Sequence, residues 1–251
     1  MRRYIYNYQT IVSFSEPVTN HTVLLRCLPV EGTYMTHLDE HLILSPGFNF
    51  CRGADQFGNR ILYGGLRDAH SSLAYVSAGI VSMGPYTIRG SKASPIYLAP
   101  SKLTAIGEEH KFSRSGNVVK DAEAICHKVN EMMTYVPNST TVETPAEKVL
   151  QSLRGVCQDY AHLMIGICRV SGIPARYACG FVEGTGETHA WVEIHDGYGW
   201  IGYDPTFDVS IEYGYVKLAH GRDAADCPVS RGIYAGSAVQ ETQVNVTLKQ
   251  L

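Results

Sequence analysis

The chain has no surplus of charge of one sign, no long apolar run and no close cysteine pair, and each absence closes a class of function. Its 21 basic and 24 acidic residues leave a formal charge of −3, and the basic residues form only isolated pairs such as Arg2-Arg3. No stripe is available to displace counterions from a phosphate backbone, so nucleic acid is excluded as a partner. The most apolar stretch, Tyr160 to Val170, contains His162 and Arg169 and falls far short of the ~20 residues a bilayer requires. No membrane partner is expected. The start, Met1 to Thr10, is basic and then polar, without the apolar segment of a signal peptide. Seven cysteines (27, 51, 126, 157, 168, 179, 227) are odd in number and include no C-x-x-C, which reads as free thiols in a reducing, cytoplasmic compartment.

What is present is packing material. The 251 residues are 45% apolar and 18% charged, with 16 tyrosines and 11 prolines, a composition that folds and does not stay disordered. The length suits one large domain or two modest ones. Residues 1 to about 89 read as antiparallel strands: Tyr4–Val12, Thr22–Cys27, Met35–Leu44 and Leu73–Val81 are aromatic or β-branched and bounded by turn residues. Phe57-Gly58-Asn59-Arg60 reads as a hairpin tip joining Asn49–Cys51 to Ile61–Tyr63, and Gly90-Ser91-Lys92-Ala93-Ser94-Pro95 as the domain boundary.

Beyond that loop the apolar period lengthens. Val118 to Met133 repeats at helical spacing after Asn117, a candidate N-cap. Thr144-Pro145-Ala146-Glu147 predicts a second helix with Thr144 as N-cap, ending near Gly155. The third, Cys157 to Val170, is apolar nearly all round and therefore central, and Ser171-Gly172 closes it. Strands follow at Ala175–Val182, Thr188–His195, Trp200–Thr206 and Val239–Lys249, with a flexible Glu183–Glu187 loop after the first.

The chemistry rests on the hairpin at Asp196-Gly197-Tyr198-Gly199. If Asp196 faces Gly199, Trp191 faces Asp204, and His189 becomes the diagonal neighbour of Asp204 on the same face. Ala190, Val192, Ile194, Ile201 and Tyr203 then collect on the opposite, apolar face, which supports the register independently of any catalytic idea. A thiol at a helix N-terminus beside a histidine is activated as a nucleophile, and Cys157 is the only cysteine so placed. His189 would take and return the proton, and Asp204 would orient it. The oxyanion would be held by the Cys157 N–H, with the Gln158 N–H or the Gln151 amide as further donors. Trp191 would shield the His–Asp pair, wall a substrate pocket or simply pack. Cys27, Cys126, Cys168 and Cys179 read as core, and His162 and Asp159 as structural. A metal site from Cys157, His162, His189 and Cys179 lacks the short ligand spacing of structural zinc, so neither metal nor other cofactor is expected.

These motifs also carry a resemblance. Gly155-Val156-Cys157-Gln158-Asp159-Tyr160-Ala161-His162-Leu163-Met164, Gly172-Ile173-Pro174-Ala175-Arg176-Tyr177, His189-Ala190-Trp191-Val192-Glu193 and Asp204-Pro205-Thr206 resemble the successive motifs of the bacterial transglutaminase-like superfamily. Tyr135 to Phe207 corresponds almost without gaps, Asp55–Asn59 resembles the family's N-terminal β region, and Gly221 to Gly236 its C-terminal segment. The resemblance implies an α+β fold with an N-terminal antiparallel β region (1–95) and a papain-like transglutaminase core (96–251), in which the cysteine helix packs on an antiparallel sheet. It places a Cys-His-Asp triad on Cys157, His189 and Asp204. It further implies a cysteine hydrolase cutting an amide, peptide or isopeptide bond through a thioester. Acyl transfer to an amine and a non-catalytic binding module are the alternatives. The substrate, whether peptide, protein or small amide, is not carried over, because the loop between Gly180 and His189 is short and glycine-rich. No EF-hand-like loop suggests calcium.

Overall fold

Alternation along the first strand organises the N-terminal half. β1 (Arg2–Leu25) buries Tyr4, Tyr6, Tyr8, Thr10, Val12 and Phe14 and turns the residues between them outward, the pattern of a strand with one packed face. In the computed structural model, which describes residues 1–90 and 92–251, the two strands expected here are one. The Ser13–Asn20 stretch between the two expected strands, which holds Pro17, stays extended through register shifts at Ser13/Val18 and Thr19/Thr22. It thereby carries β1 from one set of neighbours to another. β2 (Met35–Ser45), β3 (Phe50–Ala54), β4 (Arg60–Leu66) and β5 (His70–Met83) follow as expected, with β5 on the first half of β1 and β4 on the second. The hairpin tip is held by Asp55, whose carboxylate accepts from the Phe57 and Asn59 N–H groups. The boundary loop Gly90–Pro95 includes Ser91, which lies outside the described residues.

After β6 (Thr87–Arg89) come α1 (Val118–Met132), β7 (Thr134–Tyr135), α2 (Ala146–Ser152), β8 (Arg154–Gly155) and α3 (Cys157–Val170). Asn117 caps α1 as expected, accepting from the Val119 and Lys120 N–H groups. Thr144 does not cap α2. Its hydroxyl oxygen instead accepts from the Thr141 N–H, and the helix starts one residue later, after Pro145. β9 (Ala175–Val182), β10 (Gly184–Gly186), β11 (His189–His195), β12 (Gly199–Asp204), β13 (Val209–Ser210), β14 (Tyr215–Gly221), β15 (Ser230–Ala235) and β16 (Gln240–Gln250) complete the chain. The second sheet runs β13-β12-β11-β9-β14, with β6 added on β12.

The division at residue 95 is less clean in space than along the chain. β15 and β16 return to the N-terminal sheet, and β16 pairs with β1 continuously from Tyr4↔Gln250 to Phe14↔Gln240. The Asp55–Asn59 tip makes the reverse crossing. Asn59, fully buried, exchanges hydrogen bonds with the backbone of His220 on β14.

The second sheet is therefore covered on both faces. α3 and α1 pack on Ala190, Val192, Ile194 and Tyr203, while the N-terminal layer packs on Ala178, Phe181, Trp191, Val216 and Leu218. Polar side chains on the second face must find partners inside the protein. Glu193 does so with the Arg176 guanidinium, Lys217 Nζ (2.7 Å) and the Tyr86 hydroxyl (2.7 Å), and Trp191 Nε1 donates to the same Tyr86 oxygen (2.9 Å). Burial alone would raise the Glu193 carboxyl, but Arg176 and Lys217 outweigh it and hold it well below the usual carboxylate range. Removing one member of a buried ion cluster strands the others. Glu193→Gln should lower the unfolding free energy by about 3–5 kcal/mol, read as a fall in the urea midpoint at constant slope; a loss below about 1 kcal/mol would show that the cluster does not support the sheet.

No helix among the described residues is long and apolar enough to cross a membrane.

Candidate functional site

The site begins at the first turn of α3. The Asp159 carboxylate reaches back to accept from the Val156 N–H (2.8 Å) and the Thr140 hydroxyl (2.6 Å), while the Val156 carbonyl accepts from the Asp159 and Tyr160 N–H groups. This reciprocal closure uses up the other donors of the turn and leaves the Cys157 and Gln158 N–H groups without a partner among the described residues. Gly155 makes room for it, since a Cβ there would stand 2.6 Å from the Asp159 side chain. Asp159 is thus structural, as expected.

Cys157 is half-buried, whereas Cys27, Cys126, Cys168, Cys179 and Cys227 are buried and Cys51 is exposed. Burial pushes the Cys27 and Cys168 thiols up to about 12, out of reach of neutral pH. His162, expected to be structural, is enclosed within the core; its Nε2 accepts from the Ala224 N–H, and burial, with Arg169 nearby, pushes it down to about 3.

The expected hairpin register is present: Val192↔Tyr203, Glu193↔Gly202, Ile194↔Ile201 and His195↔Trp200 are paired. It brings His189 Nε2 to 2.6 Å from Asp204 Oδ2. The fully buried Asp204 carboxylate is tied down on every side. Its Oδ1 accepts from the Thr206 N–H (2.8 Å), and its Oδ2 also accepts from the Tyr215 hydroxyl (2.8 Å). Asn130 on α1 fixes the turn beyond it, donating to the Pro205 and Thr206 carbonyls. Burial would push the His189 imidazole down, but hydrogen bonds and charge from Asp204 and Cys157 outweigh that and hold it up at about 9. With Nε2 engaged by Asp204, Nδ1 is the nitrogen left to face the thiol. Phe207 stacks on the ring, centroids 5.1 Å apart.

Cys157 and His189 line one cleft of about 710 Å³, with Tyr135, Pro137 and Asn138 on one wall and residues 183 to 188 on another. The Glu183–Glu187 segment is not the loose loop expected from its glycines: β10 pairs with β16 through Gly184↔Leu248, Thr185↔Thr247 and Gly186↔Val246. Of the other residues expected at the site, Gln158, Gln151 and Trp191 do not line this cleft. Trp191 is wholly buried, its ring edge-on to Tyr215 at 5.3 Å, so it packs beneath the His–Asp pair. Gln151 is exposed on α2. Among the described residues no group of three or more His, Cys, Asp or Glu side chains could hold a metal ion. Sequence reasoning missed Tyr215 and Phe207; the alternation of Tyr215-Val216-Lys217-Leu218 would have marked the strand that brings Tyr215 in.

A helix opening on cysteine, packed on an antiparallel sheet whose successive strands carry histidine and aspartate, is a papain-like arrangement. Residues 110–205 match the transglutaminase-like superfamily and residues 4–82 the bacterial transglutaminase-like N-terminal region, and the chain belongs to the transglutaminase-like superfamily. An uncharacterized protein of Mycobacterium leprae is 27% identical over 99% of this chain and 96% of its own length. A proposed cysteine protease from Cytophaga hutchinsonii has the same fold, with a TM-score of 0.83 at 23% identity over 100% of this chain and 91% of that one. A protein-glutamine gamma-glutamyltransferase of Pseudomonas aeruginosa is 31% identical over 121 residues, which is 41% of this chain and 18% of that protein.

Tyr215 offers a direct check on the buried pair. Its hydroxyl proton stabilises the Asp204 carboxylate and weakens that group's pull on the imidazolium, so Tyr215→Phe should move the His189 titration above its value of about 9. The lost bond to a charged acceptor should also cost about 1.5–3 kcal/mol of stability. Imidazole resonances followed by NMR against pH would contradict this if the titration stayed or fell.

Proposed function

We propose that the protein is a thiol-dependent hydrolase of amide or peptide bonds. Cys157 Sγ, its proton already held by His189 at neutral pH, bonds to the substrate carbonyl carbon. The oxyanion that forms is met by the unpaired Cys157 and Gln158 N–H groups at the positive end of α3. The C–N bond then breaks, His189 returns its proton to the leaving nitrogen, and a thioester remains. Water attacks it, releasing a carboxylic acid and restoring the thiol. Asp204 keeps the imidazole oriented and stabilises its charged form throughout.

The observation that carries this reading is the 2.6 Å contact between His189 and a wholly buried Asp204, in a cleft shared with the one cysteine that starts a helix. A binding module has no need to keep an imidazole charged beside a half-exposed thiol. An amine in place of water would give acyl transfer, a reading favoured by the similarity to the Pseudomonas glutamyltransferase. Both routes release the same leaving nitrogen, so formation of the free carboxylic acid and incorporation of an added amine, measured side by side, distinguish the two.

Cys157→Ala should abolish turnover by several orders of magnitude, and His189→Ala should slow alkylation of Cys157 by iodoacetamide at pH 7 to the rate of an ordinary thiol. Labelling must be mapped by mass spectrometry, because exposed Cys51 also reacts. Residual turnover in Cys157→Ala would overturn the assignment. The imidazolium gives up its proton only near pH 9, so kcat/KM, which reports the free enzyme, should hold through neutrality and fall as pH rises through about 9. An alkaline limb near pH 6.5 would contradict the ion-paired arrangement.

A further inference from the structure

We propose, resting on the nucleophile reading above, that Glu183, β10 and Glu187 are the specificity element of the cleft. They take an extended polypeptide with a lysine or arginine beside the reacting amide, and do not serve a small neutral amide. Three features of the same wall lead there. First, β10 is paired on one side only, to β16, and stands at the end of the strand order among the described residues. A strand with one unpaired edge, lying in the cleft that holds Cys157, is a template for a further strand. Second, the wall is open at its glycines: nothing lies within 4 Å of where a Cβ would sit on Gly184 or Gly186. A second backbone can approach closely there. Third, the strand is bracketed by Glu183 and Glu187, which line the cleft while no lysine or arginine among the described residues does. Neither carboxylate takes part in an ion pair among the described residues.

At about 3.3 Å per residue, the two carboxylates are separated by roughly 13 Å of strand. A single small amide cannot meet both the thiol and this length of edge, whereas an extended peptide of a few residues can. The pairing would supply affinity without regard to side chains, and the flanking carboxylates would supply the choice of charge.

The test uses chloromethyl ketones as probes of Cys157, read as second-order rates of modification mapped by mass spectrometry. Acetyl-Ala-Lys-Ala and acetyl-Ala-Glu-Ala chloromethyl ketones are compared with each other and with the chloromethyl ketone of lysine alone. The lysyl peptide should react about tenfold faster than the glutamyl peptide in low salt, and the ratio should shrink at 0.5 M NaCl. In the double variant Glu183→Gln, Glu187→Gln it should fall toward one. Methylating a backbone nitrogen of the lysyl peptide should slow it several-fold. Equal rates for the two peptides, or a ratio that survives both salt and the double variant, would overturn the charge selection. Lysine chloromethyl ketone reacting as fast as the peptide would overturn the strand pairing and point to a free amine instead. Iodoacetamide, small and uncharged, separates the two readings: slow reaction at Cys157 in the unaltered protein sinks the nucleophile assignment. Fast reaction with no difference between the peptides sinks only the specificity.

Discussion

The pairing register of β11 with β12 is the constraint on which the candidate site depends. It is set by a short turn in which the Asp196 carboxylate accepts from the Tyr198 and Gly199 N–H groups and Gly197 adopts φ +100°. That left-handed conformation suits glycine because it has no Cβ. A slip of one residue would exchange the faces of a whole strand, placing His189 against α3 or Asp204 among its apolar side chains. The apolar residues under α3 and the polar pair on the other face therefore enforce the same alignment. Function and stability are not in competition at this hairpin.

The second consequence concerns what lies behind the pair. A hairpin of this kind is often wet on one face, but here the N-terminal layer covers it, and a carboxylate buried at Asp204 would be costly without donors. The layer supports β14, β14 presents Tyr215, and Tyr215 completes the shell around Asp204. The neighbouring charges of Glu193, Arg176 and Lys217 obey the same rule, each buried and each compensated within the cluster. The N-terminal β region thus acts on the candidate site through desolvation, without lining the cleft around Cys157.

Much of this was legible from residues near one another in sequence. The turn at Asp196–Gly199, the alternation from Thr188 to Asp204, the Asn117 cap and the start of α3 at Cys157 are all local signals, and the structure shows each of them. Where local chemistry had two outlets, reading it was insufficient: the Thr144 hydroxyl could serve α2 or the preceding turn, and it serves the turn. Proline and polar residues from Ser13 to Asn20 suggested a break, yet both halves of β1 found partners, and pairing outweighed propensity. Contacts between distant segments left no trace at all. Nothing in Gly184-Thr185-Gly186 announces Val246 to Leu248, and nothing around Asp204 announces a tyrosine on β14. The choice of face for Trp191 was readable, but its burial depended on a layer whose position the alternation could not supply.

The pairing of β10 with β16 also bears on the order in which the molecule can be built. β10 leans on β16, and β16 leans on β1, with Tyr4 and Gln250 in contact across 246 residues of chain. Closing a loop of that length costs entropy before any contact rewards it. α3 and the β11–β12 hairpin, by contrast, form from neighbouring segments. The thiol and its imidazole can therefore meet early, while one wall of the cleft must wait for the longest closure in the fold. The cleft thus joins a locally built half, carrying Cys157 and His189, to a wall held in place by the most distant pairing described in the chain.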